Sequence, residues 1–186
     1  MEIKKLLAEI VQYRDEIGAL LQSLDAGEIQ QGLLVLKASL LSRDLKPFVL
    51  SQTGDALRDY RIEFENGKIQ LWASIDAKQL GPVEVEYAIT VSELRFDQTG
   101  HKLYATFRET SNPLGNMVQK IAFKAALMNG ALIKTAVKMG NISFVYVDGN
   151  NIMIDFDQLG IISKLPDDLT LNYISSKDTK LTLSFH

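Results

Sequence analysis

Few side chains in this chain could carry out acid–base chemistry. His101 is the only internal histidine, directly after Gly100, and His186 is the last residue. A catalytic histidine needs a second group that orients it, and the sequence around His101 supplies none. We therefore predict that His101 is a solvated turn residue.

Other catalytic and metal-binding patterns are also missing from the sequence. Asp148, Asp155 and Asp157 surround a predicted hairpin, but their spacing does not match that of a calcium loop. The chain contains no cysteine, no Gly-x-Ser-x-Gly elbow and no glycine-rich phosphate loop. These observations predict a protein that is not an enzyme, with no catalytic residue, no metal and no cofactor.

The composition is that of an ordinary globular protein, with 46% apolar and 23% charged residues in 186. The net charge of −3 argues against a nucleic-acid partner. Charges interrupt the N-terminal stretch, which is therefore not a secretory signal, and no apolar run reaches the roughly 20 residues that span a bilayer. We expect a single domain over 1–186, cytoplasmic as the chain stands and exported if a leader was removed.

The elements that would position these side chains begin with an amphipathic helix over residues 2–24. Its apolar residues recur at steps of three and four. They are Ile3, Leu6, Ile10, Tyr13, Ile17, Leu20 and Leu24. Residues 1–26 are thus a candidate docking or homodimerisation element. A strand over Leu33–Leu40 and a helix from Ser42 to about Leu57, capped by Ser42, follow.

Alternating apolar and polar residues then predict antiparallel strands. Asn66-Gly67 is a strong hairpin signal, and Gly81-Pro82 ends the return strand. Further turns are predicted at residues 97–100, 148–149 and 175–178, and Ile142, Phe144 and Tyr146 are expected on one buried face. The pattern predicts about eight half-buried strands.

A long helix is predicted between these strands, from Pro113 to Met139, with Asn112 as its cap. It would be about 40 Å long. Its apolar stripe comprises Leu114, Val118, Ile121, Ala125, Met128, Leu132, Ala136 and Met139. Such a stripe must be covered. We therefore predict an α+β fold in which a highly curved antiparallel sheet wraps around one long helix, with the amphipathic helix at the N-terminus.

The opposite flank of this helix carries Lys120, Lys124, Lys134 and Lys138. These lysines could support peripheral contact with an anionic membrane, although lysine stems commonly cover apolar surface. Phe123 and Leu127 interrupt the flank, and Trp72 and Tyr104 are out of phase with their strands. These four residues form a candidate partner surface.

Two interpretations of the predicted stripe stay open. Sheet and helix either pack into a dry core or stand apart to form an apolar groove for a lipid-like ligand. The groove would be lined by Leu114, Val118, Ile121, Ala125, Met128 and Leu132. A third alternative buries the helix by dimerisation.

The order of elements resembles that of the tubular lipid-binding superfamily, particularly its small bacterial members. The resemblance covers roughly residues 33–186, from the helix at Ser42-Arg-Asp-Leu45 to the segment Ile152-Met-Ile-Asp-Phe-Asp-Gln-Leu159. It implies a curved sheet around a long helix with lipid held between them. The expected function is therefore non-enzymatic binding of an apolar small molecule or lipid. The alternative is a protein-interaction module that associates through helix 2–24.

Overall fold

A computed structural model describes residues 24–47, 50, 57–77, 80–127, 132–139, 142–159 and 168–186. Three α-helices lie entirely in these ranges: α1 (Ala26–Gln30), α2 (Met117–Leu127) and α3 (Leu132–Met139). The strands are β1 (Leu33–Lys37), β2 (Leu57–Glu65), β3 (Lys68–Asp76), β4 (Pro82–Asp97), β5 (Gly100–Pro113), β6 (Val145–Asp148), β7 (Asn151–Asp155), β8 (Leu171–Lys177) and β9 (Lys180–Phe185). A π-helical turn (Leu40–Asp44) and a 3₁₀ turn (Phe156–Gln158) complete the described elements. Residues 2–23 of the predicted helix 2–24 and the segment 51–56 lie outside the described residues.

All pairings in the sheet are antiparallel, and the long β4–β5 hairpin forms its centre. The strand order is β1-β9-β8-β4-β5-β7-β6, while β3 pairs with β4 and β2 with β3. The first half of β4 pairs with β3, and its far end meets β8 at Phe96 and Leu171. The expected antiparallel α+β class is thus confirmed.

Turn chemistry explains the hairpins that the sequence predicts. Asn66 and Gly67 both have positive φ, 53° and 74°, as a two-residue hairpin turn requires. Gly149 (φ 54°) turns the β6–β7 hairpin, and Asp178 and Thr179 (φ 52° and 61°) turn β8–β9. The Asn66-Gly67 turn is confirmed because it depends on two residues alone, whereas the β8–β9 turn lies at the end of the predicted segment 175–178, since β8 continues to Lys177.

The main core lies on one face of the β4–β5 hairpin. The larger side chains of this core come from β4, β5, β7, α2 and α3. They are Val83, Val85, Tyr87, Phe107, Phe123, Leu132 and Ile152. A second cluster around Phe96, Leu169 and Phe185 packs at the opposite end of β4.

The predicted long helix wrapped by the sheet is wrong. β5 extends through Pro113, so this residue lies in a strand rather than at the first helical position. The helical part consists of α2, eleven residues, and α3, eight residues, and both pack on one face of the sheet. Nine strands in the described ranges form an open sheet, not a tube around a helix.

Helix α2 begins at a capping box that the sequence prediction missed. The backbone N–H of Gln119 donates to Asn116 Oδ1 (3.0 Å), and the N–H of Asn116 donates to Gln119 Oε1 (2.9 Å). This reciprocal pair satisfies two backbone donors at the helix start. The cap is therefore Asn116, not Asn112.

Ser42 does not cap a helix as predicted, because it lies within the π-helical turn. Its hydroxyl donates to the carbonyl of Ile62 (2.8 Å) and accepts from the N–H of Ile62 (2.7 Å). The Ser42 hydroxyl thereby satisfies the N–H and the carbonyl of Ile62 on the edge of β2 that does not pair with β3. A neighbouring strand would make the same two hydrogen bonds.

The alternation predicted before Asp148 is displaced by one residue. Val145 and Val147 pack against the main core, whereas Tyr146 is exposed. A shift by one residue transfers every side chain to the other face of a strand. Apolar residues occupy both alternating sets of positions in this segment: Ile142, Phe144 and Tyr146 in one, Val145 and Val147 in the other. Only packing therefore decides which set faces the core.

Candidate functional site

The most distinctive surface of the described chain is an exposed apolar face on and before α2. The exposed fractions are 49% for Leu114, 78% for Met117, 76% for Val118 and 65% for Ile121. Successive helical residues are about 100° apart, so Met117, Val118 and Ile121 share one side of α2. We call Leu114, Met117, Val118 and Ile121 the α2 face. Large apolar side chains exposed together indicate a contact surface.

The opposite side of α2 is anchored on the sheet by one aromatic residue. Phe123 is 1% exposed and packs in the main core with Val83, Val85 and Phe107. The orientation of α2 is therefore the reverse of the predicted one. The supposed buried stripe faces outward, and a residue of the supposed partner surface faces the core.

The structure does not assemble the predicted apolar groove. Leu114, Val118, Ile121 and Ala125 are all exposed, and Leu132 alone of the groove residues in the described ranges is buried. Met128 lies outside the described residues, and so does the side chain of Leu127 at the end of α2. Neither Ile121 nor Ala125 lines the cavities that contain Trp72 and Tyr104.

Helix α3 is held by a carboxylate from the sheet. Glu109 on β5 accepts hydrogen bonds from the backbone N–H groups of Leu132 (2.7 Å) and Ile133 (3.0 Å). A negative charge at a helix N-terminus also interacts favourably with the helix dipole. Burial raises the pKa of the neighbouring Tyr87 hydroxyl far above its ordinary range, and the charge and hydrogen bond of Glu109 raise it further.

The two aromatics predicted on the outer face lie in separate recesses. Trp72 lines a cavity of about 490 Å³ on the sheet, and the guanidinium of Arg61 lies 4.2 Å from the centre of its ring. Tyr104 lines a cavity of about 700 Å³ beside α3, together with Tyr146 and Met153. Trp72, Tyr104 and Phe123 therefore do not form one surface.

His101 has a partner that the local sequence did not indicate. Its Nδ1 lies 2.6 Å from Asp157 Oδ1, and its backbone N–H donates to Asp157 Oδ2 (3.2 Å). Its ring also packs edge-on against Phe96, at 4.3 Å between centroids. The 56-residue separation from Asp157 explains why the pair was missed. The contact joins the β4–β5 turn to the 3₁₀ turn.

Acidification is expected to weaken the His101–Asp157 contact. The hydrogen bond from His101 holds the pKa of Asp157 below its ordinary value. A depressed pKa in the folded state stabilises the fold above about pH 4, and this stabilisation is lost as the pH falls through the folded pKa. Asp157 is 45% exposed, so solvent screening should limit the loss to less than about 1 kcal/mol.

Urea unfolding at about pH 5 and about pH 3 measures this loss. The free energy of unfolding should decline more in the parent than in His101→Ala, because the variant lacks the imidazole that makes the largest contribution to the lowered pKa of Asp157. Equal declines in the two proteins would show that the His101 side chain does not link stability to the protonation of Asp157.

Comparison with known proteins found no matching family model, no matching curated protein and no matching solved structure. The resemblance to tubular lipid-binding proteins therefore stays a prediction. Among the helices of the described residues, none has the length and apolar character needed to cross a membrane.

Proposed function

We propose that this chain is a non-enzymatic binding protein that attaches to lipid through the α2 face. The observation that carries the proposal is the joint exposure of Met117, Val118 and Ile121 on the side of α2 opposite the buried Phe123. Exposed apolar area on a helix already fixed to a rigid sheet can be buried without ordering that helix first.

The chemistry of the α2 face suits a lipid phase. Met117, Val118 and Ile121 carry no hydrogen-bond donor and, apart from the weakly accepting thioether of Met117, no acceptor, so binding would come from removal of apolar surface from water. Full burial of such a side chain contributes about 1.5–3 kcal/mol before association costs. A helix of this length would lie in the interface between headgroups and acyl chains instead of spanning the bilayer.

The alternative proposal is a protein-interaction module that associates through helix 2–24. Its support is the apolar stripe that the sequence predicts between Ile3 and Leu24, since residues 1–23 lie outside the described residues. A partner protein with an apolar groove would also cover the α2 face. Sedimentation of the full-length protein separates the two proposals, because self-association in the absence of lipid favours the protein partner.

Replacing Ile121 with aspartate is expected to weaken binding to phosphatidylcholine vesicles at least about tenfold, since a charge entering the lipid interface costs more than about 1.4 kcal/mol. Folding should be unaffected because Ile121 is exposed.

The absence of cysteine allows Val118→Cys to carry a single environment-sensitive dye, which should report transfer to an apolar environment.

The matched control is Ile174→Asp, because Ile174 is 50% exposed on β8 and lies outside the α2 face. This variant should bind vesicles like the parent. Equal binding by Ile121→Asp and the parent, or no vesicle binding by the parent, would refute the proposal.

A further inference from the structure

The charges around the α2 face are strongly one-sided. Between Thr110 and Val147 the sequence contains four lysines and no aspartate or glutamate, although the chain as a whole has a net charge of −3. Lys120 and Lys124 are exposed on α2 itself. A basic helix with an exposed apolar face is typical of segments that lie on anionic membranes.

The positions of these two lysines match that arrangement. At about 100° per residue, Lys124 lies just beside Met117 at the margin of the α2 face, and Lys120 follows, closer to the buried side of Phe123. Lysine stems can extend along an apolar surface and place the ammonium group at headgroup level. Both ammonium groups can therefore reach lipid phosphates while Val118 and Ile121 contact acyl chains.

The acids of the neighbouring strands do not cancel this charge. Glu84 and Glu86 are exposed on the face of β4 opposite to Val83 and Val85, which pack beneath the helices. Glu109 keeps its charge, but it lies part-buried at the N-terminus of α3, where the positive end of the helix dipole offsets part of that charge. The exposed charges on α2 itself are therefore those of Lys120 and Lys124.

We infer that the α2 face selects lipid surfaces with anionic headgroups, with Lys120 and Lys124 as the selecting residues. This inference rests on the proposed function and adds the class of lipid. A protein groove of acidic character would present similar charge, but the uninterrupted apolar face beside a lysine margin fits a continuous lipid interface better. A protein partner is therefore an outcome of the test.

The chain's own predicted N-terminal helix is a poorer occupant of the α2 face. Leu24 packs with the cluster around Phe96. Helix α2 follows the end of β5 that pairs with the opposite end of β4, where the N–H of Leu114 donates to the carbonyl of Pro82. Phe96 follows Val83 by 13 positions, about 43 Å along the strand. A 23-residue helix reaches about 35 Å.

The test compares vesicles of phosphatidylcholine alone with vesicles of equimolar phosphatidylcholine and phosphatidylglycerol. The parent should bind the anionic vesicles about 10- to 30-fold more tightly than the neutral vesicles. Each of the two lysines is expected to contribute about fivefold to this ratio. The double variant Lys120→Gln with Lys124→Gln should lose most of this preference and keep its affinity for neutral vesicles. The preference should also disappear near 1 M salt, where the screening length is about 3 Å.

The control removes the same charge elsewhere, with Lys37→Gln and Lys177→Gln, both exposed on β1 and β8. This variant should keep most of the preference. Equal binding of the parent to both vesicle types would overturn the lipid-class inference and leave the proposed function standing. Binding to neither type would overturn both, and self-association without lipid would then point to a protein partner.

Discussion

Replacing Phe123 with alanine is expected to lower the free energy of unfolding by about 3–5 kcal/mol, the range for truncating a buried aromatic side chain. Phe123 is 1% exposed, is the only buried residue among the side chains of α2 that the structure describes, and belongs to the same core cluster as Val83, Val85 and Phe107. Urea unfolding followed by circular dichroism and by the fluorescence of Trp72, the single tryptophan, measures the change.

The matched controls are Val118→Ala and Ile121→Ala on the same helix. Both side chains are exposed, so each substitution should change the free energy of unfolding by less than about 0.5 kcal/mol. If Ile121→Ala lowered the free energy of unfolding more than Phe123→Ala, the side of α2 that carries Ile121 would be the side packed on the sheet. The comparison thus tests the helix orientation on which the proposed function depends.

Replacing Glu109 with alanine is expected to cost roughly 2–3 kcal/mol. The substitution leaves the backbone N–H groups of Leu132 and Ile133 without their carboxylate acceptor, in a part-buried position. It also removes the negative charge at the N-terminus of α3 and the hydrogen bond to Tyr87. We expect α3 to detach at lower urea concentration than in the parent, observed as an earlier loss of helical circular dichroism.

Two comparisons sharpen this prediction. Glu109→Gln keeps one carbonyl acceptor without the charge and should show an intermediate loss. Glu86→Ala removes a carboxylate from the exposed face of the adjacent strand and should change stability by less than about 0.5 kcal/mol. A loss for Glu109→Ala that does not exceed the loss for Glu86→Ala would contradict the capping role.

These two variants also bear on function, because both residues fix helices on the same sheet face. Phe123 holds α2 with the α2 face outward, and Glu109 holds the start of α3. If Phe123→Ala releases α2, lipid binding should weaken even though the α2 face is intact. Vesicle binding by Phe123→Ala therefore tests whether the sheet pre-organises the docking helix.

Hairpins were predictable from the sequence because their determinants are local. Asn66-Gly67 turns where predicted, the turn predicted at 148–149 is found one residue later at 149–150, and the alternation of Val83, Val85 and Tyr87 matches their burial. Register before Asp148 was not predictable, since either phase of that strand offers apolar residues. The His101–Asp157 pair was also invisible, because its partners are brought together only when the 3₁₀ turn packs beside the β4–β5 turn.

The sequence by itself determined the antiparallel strands, most of their turns and the basic, apolar character of the region from Thr110 to Val147. It did not determine which side of α2 contacts the sheet, because apolar residues occur on both sides and periodicity assigns the wider stripe to the core. The tertiary structure decided that question through Phe123, whose ring packs among Val83, Val85 and Phe107. The wider stripe was left outside, and the predicted interior groove became an exposed candidate docking face.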